Sequence, residues 1–379
     1  MKGKLHDAGR DYYPTPDKPW QRIDPASGGF DPVRLTDAIA LAETVESTWP
    51  RDLEAMSMLP GVTEIEPPPW NEILGPLKSR GGPSGLVLRH GLIAGQWGEP
   101  ERVEMTFSIT KSYLAVLAGL AVADGLIGDI DDPVSQTVLI AAFTSPHNRR
   151  ITWRHLLTQT SEWEGTLFDK PDLVDRNRQV GANADNSRKG QHRNLVAPGG
   201  FWEYNDVRVN VLSLALLHRF RRPLPKVLKE RIMDPIGASG HWQWHAYRNG
   251  VVEIEGRPMA CVPGGSHWGG GIWIDSYDHA RFALLIQRQG RWGDRELLPA
   301  SWIQALRTPC PIRPDYGFLW WLNTDGAVYP SAPTTSLFTR GAGSHVIWID
   351  PALELIMVAR WIDKESIDDL IGAVMAALT

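Results

Sequence analysis

Residues 105–128 read MTFSITKSYLAVLAGLAVADGLIG, and this stretch decides the fold. Ser108 and Lys111 stand three apart at the entrance of an apolar helix, and on a helix i and i+3 share one face. A hydroxyl and an amine so placed meet without help from the rest of the chain, giving a nucleophile with a base beside it. No other lysine of the chain has a serine three residues before it. The run SYLAVLAGLAVA is apolar on every side, which predicts a buried helix, and Gly125 and Gly128 predict its end. Burial disfavours the ammonium form. Lys111 is therefore expected to have a lowered pKa, to act as base, and to stop working on acidification.

Upstream, 85–97 (GLVLRHGLIAGQW) is written as a β-hairpin turning at His90-Gly91. Residues 1–75 are rich in proline and read as an extended arm holding one helix, from about Pro32 to Trp49, with Asp31 as N-cap. Downstream, Asp131-Asp132-Pro133 marks a turn, 151–163 (ITWRHLLTQTSEW) has a helical pattern, and 164–198 is a long polar loop of the kind that carries function or moves. A Pro-Gly-Gly turn then leads into an apolar helix beginning near Tyr204, and a short helix ends at Gly237. Residues 240–275 read as irregular with short strands. Ser276-Tyr277-Asp278 caps a helix running to about Gln289, and LPASWIQAL (298–306) forms another. The segments 316–323, 338–350 and 353–361 read as antiparallel strands, with Asp350-Pro351 in the turn between the last two. SIDDLIGAVMAAL closes the chain as a helix.

A chain of 379 residues that is 42% hydrophobic and 22% charged can bury a sizeable core. A formal charge of −5 offers no basic surface, so neither nucleic acid nor a membrane is expected as partner. Cys261 and Cys310 share no ligand or disulfide spacing and read as buried thiols. The charged, proline-rich N-terminus lacks the apolar core of a signal peptide, so the expected location is the cytoplasm. The oligomeric state stays open, because the N-terminal arm is long enough to wrap a neighbour as readily as its own sheet.

Other residues join the Ser108 pair as candidates. Taken alone, Ser108 is a helix cap and Lys111 a solvated charge. Tyr204 in EYNDVRVN is a half-buried aromatic, or a phenol able to pass the serine proton to the leaving group. Arg340-Gly341-Ala342-Gly343 is a stretch of small residues at a sheet edge, or a strand that admits a substrate carbonyl and offers it a backbone N–H. His245, His267 and His345 read as structural, although His267 and Trp268 precede Gly269-Gly270-Gly271 and are expected to line a pocket. Trp202, Trp242 and Trp244 read as core or pocket wall. No G-x-S-x-G elbow, H-E-x-x-H helix or P-loop occurs.

Several of these segments, in this order, resemble the serine β-lactamase and penicillin-binding-protein superfamily, in its class C-like branch with the family VIII esterases and 6-aminohexanoate-dimer hydrolase. Residues 107–135, FSITKSYLAVLAGLAVADGLIGDIDDPVS, are similar to the S-x-x-K nucleophile helix and its tail. ITWRHLLTQTSEW, WEYNDVRVN (202–210), GGGIWIDSYDHARFALLIQRQG (269–290), YGFLWWLN and GAGSHVIWIDP (341–351) follow in the family's sequence. The likeness runs from about Ser84 to the C-terminus. It implies Ser108 as acylated nucleophile, Lys111 as base, Tyr204 as partner in proton transfer, and the backbone N–H groups of Ser108 and Ala342 as oxyanion hole. Asp206, Arg340, Gly341, His267 and Trp268 are the implied substrate-binding residues. Two positions depart from the pattern: Asp206 stands where the Tyr motif ends in Asn, and Thr339-Arg340-Gly341 replaces the usual Lys-Thr-Gly or His-Ser-Gly.

The implied fold is α+β and β-lactamase/transpeptidase-like, with a central antiparallel sheet from residues near 84–104 and 262–361. It is divided as an N-terminal extension (1–83), a discontinuous α/β sheet domain (84–128 and 262–379) and a mostly helical insertion (129–261). The implied activity is hydrolysis of a small-molecule ester or amide through an acyl-enzyme, with no metal or organic cofactor. A β-lactamase or DD-peptidase, and a catalytically silent binding protein on the same fold, are the alternatives.

Overall fold

The computed structural model describes residues 12–16, 18–54, 68–181 and 184–379. Parts of the N-terminal extension and of the 164–198 loop, including the first eleven residues, weighed above as a leader, lie outside the described residues. Within the extension, helix α1 (Pro32–Thr44) starts where expected, with the Asp31 carboxylate accepting from the N–H groups of Val33 and Arg34 at 2.9 and 3.1 Å. It ends short of Trp49 because the next residues pair elsewhere: the N–H of Ser47 donates to the Trp361 carbonyl at 2.7 Å.

Strands β1 (Ser84–Arg89) and β2 (Leu92–Trp97) form the expected hairpin, with His90 and Gly91 both at positive φ, as a tight two-residue turn requires. Strand β3 (Glu104–Met105), a 3-10 turn (Phe107–Ile109) and helix α2 (Thr110–Ala123) follow. Helix α3 spans Asp206–Phe220, strand β4 Gln243–His245, strand β5 Gly271–Ile274 and helix α4 Ser276–Gln287. Strands β6 (Trp321–Leu322), β7 (Leu337–Gly341), β8 (His345–Asp350) and β9 (Leu355–Arg360) and helix α5 (Ile367–Ala377) complete the frame.

The main sheet has six strands in the order β6-β7-β8-β9-β1-β2 and is antiparallel throughout. It is narrower in sequence than 84–104 and 262–361. Strand β5 pairs with β3 and β4 in a separate three-stranded sheet. The buried guanidinium of Arg360, at the end of β9, sits between the two sheets and donates to the carbonyls of Ile274 and Glu104 at 2.6 and 3.1 Å. Those carbonyls are thereby satisfied without joining the main ladder.

Three further expectations change. Residues 338–350 are two strands, because Gly343 and Ser344 turn at positive φ and Gly341 pairs with His345. Of 316–323 only Trp321–Leu322 is strand; Leu319 instead donates its N–H to the Leu157 carbonyl at 2.9 Å. The helix in 151–163 is only Trp153–Leu157, and Gln159 and Glu162 then adopt left-handed φ.

Neighbouring residues of β2 show which element covers each face of the sheet. Gly95 lies under Ile39 of α1, while Gln96 accepts from the Tyr277 hydroxyl of α4 at 3.0 Å. Helix α2 packs on α4 through Tyr113 stacked on Phe282 at 3.8 Å. Every residue of α2 from Thr110 to Ala121 is buried, as its all-round apolarity predicts. Among the described residues, the arm runs along its own sheet at 21–23. Ile93 donates to the Gln21 carbonyl and accepts from the Ile23 N–H, both at 3.0 Å, which covers the β2 edge. Cys261 and Cys310 are buried and free, and no helix among the described residues is long and apolar enough to cross a membrane.

Gly119 shows how tightly α2 is held. A Cβ there would lie 2.4 Å from the indole of Trp302, whose Nε1 donates to the Ala115 carbonyl at 3.0 Å. In an exposed helix Gly→Ala gains about 1 kcal/mol. Gly119→Ala is expected instead to destabilise by roughly 1–3 kcal/mol through overpacking, read as a lowered urea midpoint.

Candidate active site

Ser108 sits on the 3-10 turn just before α2, and the turn is strained. Phe107 has φ +50, a left-handed conformation costing a bulky residue about 1–2 kcal/mol. Packing holds it there: its ring meets Trp49, His345 and Trp361 edge-on at 5.6, 5.7 and 6.0 Å. Beneath the turn, His279 of α4 bridges the Thr106 hydroxyl (2.6 Å) and the Tyr113 hydroxyl (2.9 Å), and burial keeps its proton affinity well below that of ordinary histidine. A neutral ring serves both partners, donating with one nitrogen and accepting with the other.

The Lys111 ammonium donates to Ser108 Oγ at 2.9 Å, as the spacing of the two residues requires. It also donates to Asp206 Oδ1. Tyr204 turns its ring to the same nitrogen, 4.8 Å from the centroid, and rests on Trp321 at 6.0 Å. The start of α3 places both groups. Asn205 caps the helix, its Oδ1 accepting from the Arg208 N–H at 3.2 Å and its Nδ2 donating to the Asp172 carbonyl at 2.9 Å. Asp206 thus becomes the first helical residue, where the helix dipole favours a negative charge.

The expectation of a lowered Lys111 pKa is overturned. Burial opposes the ammonium and is the largest single influence, but the Asp206 charge and the Tyr204 oxygen outweigh it, and the pKa ends above that of ordinary lysine. Burial likewise opposes the Asp206 carboxylate, yet Lys111 and then Arg178 hold its pKa well below the usual range. At neutral pH the pair is therefore ammonium and carboxylate. Asp206, expected among the substrate-binding residues, has protein groups at both oxygens, Lys111 at Oδ1 and Arg178 and His267 at Oδ2.

Arg178 was not anticipated. Its Nη1 lies 2.5 Å from Asp206 Oδ2, 3.2 Å from Asp175 Oδ1 and 3.5 Å from His267 Nδ1. Asp175, Asp206 and His267 offer atoms within 4.8 Å of one another, the donor set of a small cation site. The guanidinium takes the cation's place, so these residues hold an arginine. Nothing in the local pattern of 164–198 marked Arg178; only the loop's length and charge hinted at function.

The other expected residues are placed as follows. His267 Nδ1 is 3.3 Å from Asp206 Oδ2, and Trp268 is buried behind it, ring centroids 4.3 Å apart. Gly341 packs against the backbone just before Ser108: a Cβ there would be 2.5 Å from the Thr106 carbonyl oxygen. Ala342 follows, exposed, in the β7–β8 turn. The Arg340 guanidinium stacks on Trp321 and Tyr329, 5.2 Å from each centroid. His245 and His345 do not join the Ser108 group; His345 packs behind Phe107. Trp202 flanks Tyr204 at 6.2 Å.

The 264–271 loop roofs the site, and the N-terminal extension fastens that loop. The N–H groups of Leu74 and Gly75 both donate to the Trp268 carbonyl at 2.9 Å, and Gly270 donates to Pro76 at 2.8 Å. This contact pairs two segments far apart in sequence, and no pattern in 74–76 points to the Gly269-Gly270-Gly271 loop.

The family profile described as Beta-lactamase matches residues 87–369. Similar solved structures include a beta-lactamase from Mycobacterium bovis, 18% identical with TM-score 0.54, the match covering 78% of this chain and 93% of that one. EstCE1, described as a hydrolase with promiscuous acyltransferase activity, is 17% identical with TM-score 0.55, covering 86% and 100%. A beta-lactamase/D-alanine carboxypeptidase from Pseudomonas syringae is 14% identical with TM-score 0.54, covering 81% and 94%. At these identities the likeness is one of fold. No curated protein matches the chain.

Gly265 gives a direct test of the geometry. A Cβ there would lie 2.9 Å from Lys111 Nζ, 2.9 Å from Asp206 Oδ1 and 3.6 Å from Ser108 Oγ. Gly265→Ala is expected to cut labelling of Ser108 by a serine-directed reagent at least about tenfold, since small misplacements of reacting groups cost that much or more, and to lower the thermal midpoint, since the same Cβ presses on the buried Lys111–Asp206 pair. Wild-type reactivity would mean that this backbone does not press on the three groups.

Proposed function

The chain belongs to the Beta-lactamase family, and from that premise we propose that it is a serine hydrolase cleaving a small ester or amide through an acyl-enzyme on Ser108. The observation that carries this reading is the Ser108 hydroxyl held 2.9 Å from Lys111 Nζ, with the Tyr204 ring 4.8 Å from the same nitrogen. Ser108 Oγ attacks the carbonyl and loses its proton to a neighbouring base. The N–H groups of Ser108 and Ala342 hold the oxyanion. The alcohol or amine leaves with a proton, and water then releases the acid. Lys111 can accept a proton only from the fraction of molecules in which it has become an amine. Tyr204 is the partner that completes the transfer to the leaving group.

A small ester or amide is preferred because the groups that would recognise a β-lactam differ here. Asp206 is engaged by Lys111 and Arg178, and Thr339-Arg340 stands where a Lys-Thr pair is usual. The β-lactamase or DD-peptidase reading keeps one supporting observation: no carboxylate among the described residues pairs with Arg340, which lies one residue from the strand end against Thr106. Such a cation suits a carboxylate-bearing substrate.

A serine-reactive fluorophosphonate is expected to label the wild type and not Ser108→Ala; equal labelling of both overturns the reading and leaves a silent binding protein. A chromogenic cephalosporin run against short-chain aryl esters and amides separates the two substrate classes, and turnover is expected on the latter. The pH dependence follows from the raised Lys111 pKa. A base that must first lose a tightly held proton makes kcat/KM climb with pH into the alkaline range and fall on acidification. A profile that is flat above neutral pH removes Lys111 from the role of base.

A further inference from the structure

Lys111 is faced from its own turn by Ser108, from α3 by Asp206, from the residue before α3's cap by Tyr204, and from the roof loop by His267 acting through Asp206. Arg178 is the cation set against it across the Asp206 carboxylate. It is held on several sides. Asp175 accepts from it at 3.2 Å and is itself tied to Lys189 Nζ at 3.4 Å and to the Asp206 backbone N–H at 2.8 Å. Its guanidinium carbon lies 5.2 Å from the Tyr204 ring centroid, a ring that also faces Lys111. One carboxylate therefore serves two cations, one oxygen to each.

We propose that Arg178 is a positioning residue that divides Asp206 between two cations and thereby sets how firmly Lys111 holds its proton. The proposal rests on the Ser108–Lys111 reading above for its catalytic meaning. An anionic neighbour strengthens the hold of an ammonium on its proton, and a cationic one weakens it. Asp206 alone would lock Lys111 as an ammonium. Arg178 opposes this twice: it repels the charge on Lys111 and draws on the oxygen of Asp206 that Lys111 does not use. Removing Arg178 leaves Lys111 as the one full cation on the carboxylate, with His267 beside it, and Lys111 then releases its proton only at higher pH. Removing the carboxylate leaves burial unopposed, and the proton comes off at lower pH.

The test is the titration of Lys111 Nζ by NMR in 15N-lysine-labelled protein, the resonance assigned by its loss in Lys111→Arg, together with the pH profile of fluorophosphonate labelling at Ser108. Arg178→Gln is expected to raise the Lys111 midpoint by about one pH unit and Asp206→Asn to lower it by about one unit or more. Arg178→Lys, which keeps the charge, should lie near wild type. The labelling profile of each variant that still reacts should move in the same direction. An Arg178→Gln midpoint equal to wild type, or an Arg178→Lys midpoint matching Gln, overturns the proposal. If Gln at 178 prevents folding, Asp206→Asn decides alone, and a midpoint that fails to fall is fatal. Failure of the wild type to label at Ser108 would instead sink the acyl-enzyme reading, and the Lys111 titration would still be readable.

Discussion

The site depends on one buried ion pair, Lys111 of α2 with Asp206 at the first turn of α3. Each side chain is almost wholly removed from water, and neither charge is tenable there alone. Together they join α2, which follows the Ser108 turn, to α3, which follows Tyr204, and they fix the direction in which Lys111 points. Removing one partner of such a pair typically costs 3–5 kcal/mol, because the other charge is left stranded. Here the same contact that stabilises the junction also decides the protonation of the group beside Ser108. The junction of α2 with α3 and the charge state of Lys111 therefore rest on the same interaction. Arg178 touches the pair through the oxygen of Asp206 that Lys111 does not use.

A larger ionic network explains why the start of α3 can be so exactingly placed. Arg208 binds Glu162 at 2.9 Å, Glu203 at 3.1 Å and Asp172 at 3.3 Å, while Arg193 reaches Glu162 and Glu203 and Arg176 reaches Asp172. Burial still raises the proton affinity of the Glu203 carboxyl above its ordinary value, despite Arg208 and Arg193. Desolvating these groups costs several kcal/mol per ion before pairing offsets it, so the network is better understood as a device of specificity than of net stability. It ties the irregular segment 159–176 and the polar loop beyond it to the first turn of α3. The loop can then deliver Arg178 to Asp206 although it has little regular structure of its own.

Much of the frame was legible in sequence. The β1–β2 hairpin, the all-apolar α2, the Asp31 cap and the closing helix follow from local pattern and propensity, which act over a few residues. The Ser108–Lys111 contact was legible for the same reason, since three residues on a helix determine it. Boundaries were less so. Residues 338–350 divide at Gly343 because Gly341 finds His345, and β5 pairs with β3 and β4 outside the main sheet, with Arg360 taking its Ile274 carbonyl. The first outcome is a turn between residues four apart, inside what reads as one run, and only the second depends on a partner distant in the chain.

The sequence by itself determined that a hydroxyl and an amine meet at the mouth of a buried helix, and which ordered motifs accompany them. Only the tertiary structure decided what state that amine is in. Burial alone, readable from the apolar run, argues for a neutral lysine; Asp206, brought in across 95 positions of sequence, reverses the sign. Arg178 and the 74–76 clamp on the roof loop are likewise invisible to local pattern. The reason is physical: helix geometry fixes neighbours a few residues apart, whereas the charge of a buried group depends on every ion folded against it, and sequence spacing holds no record of those.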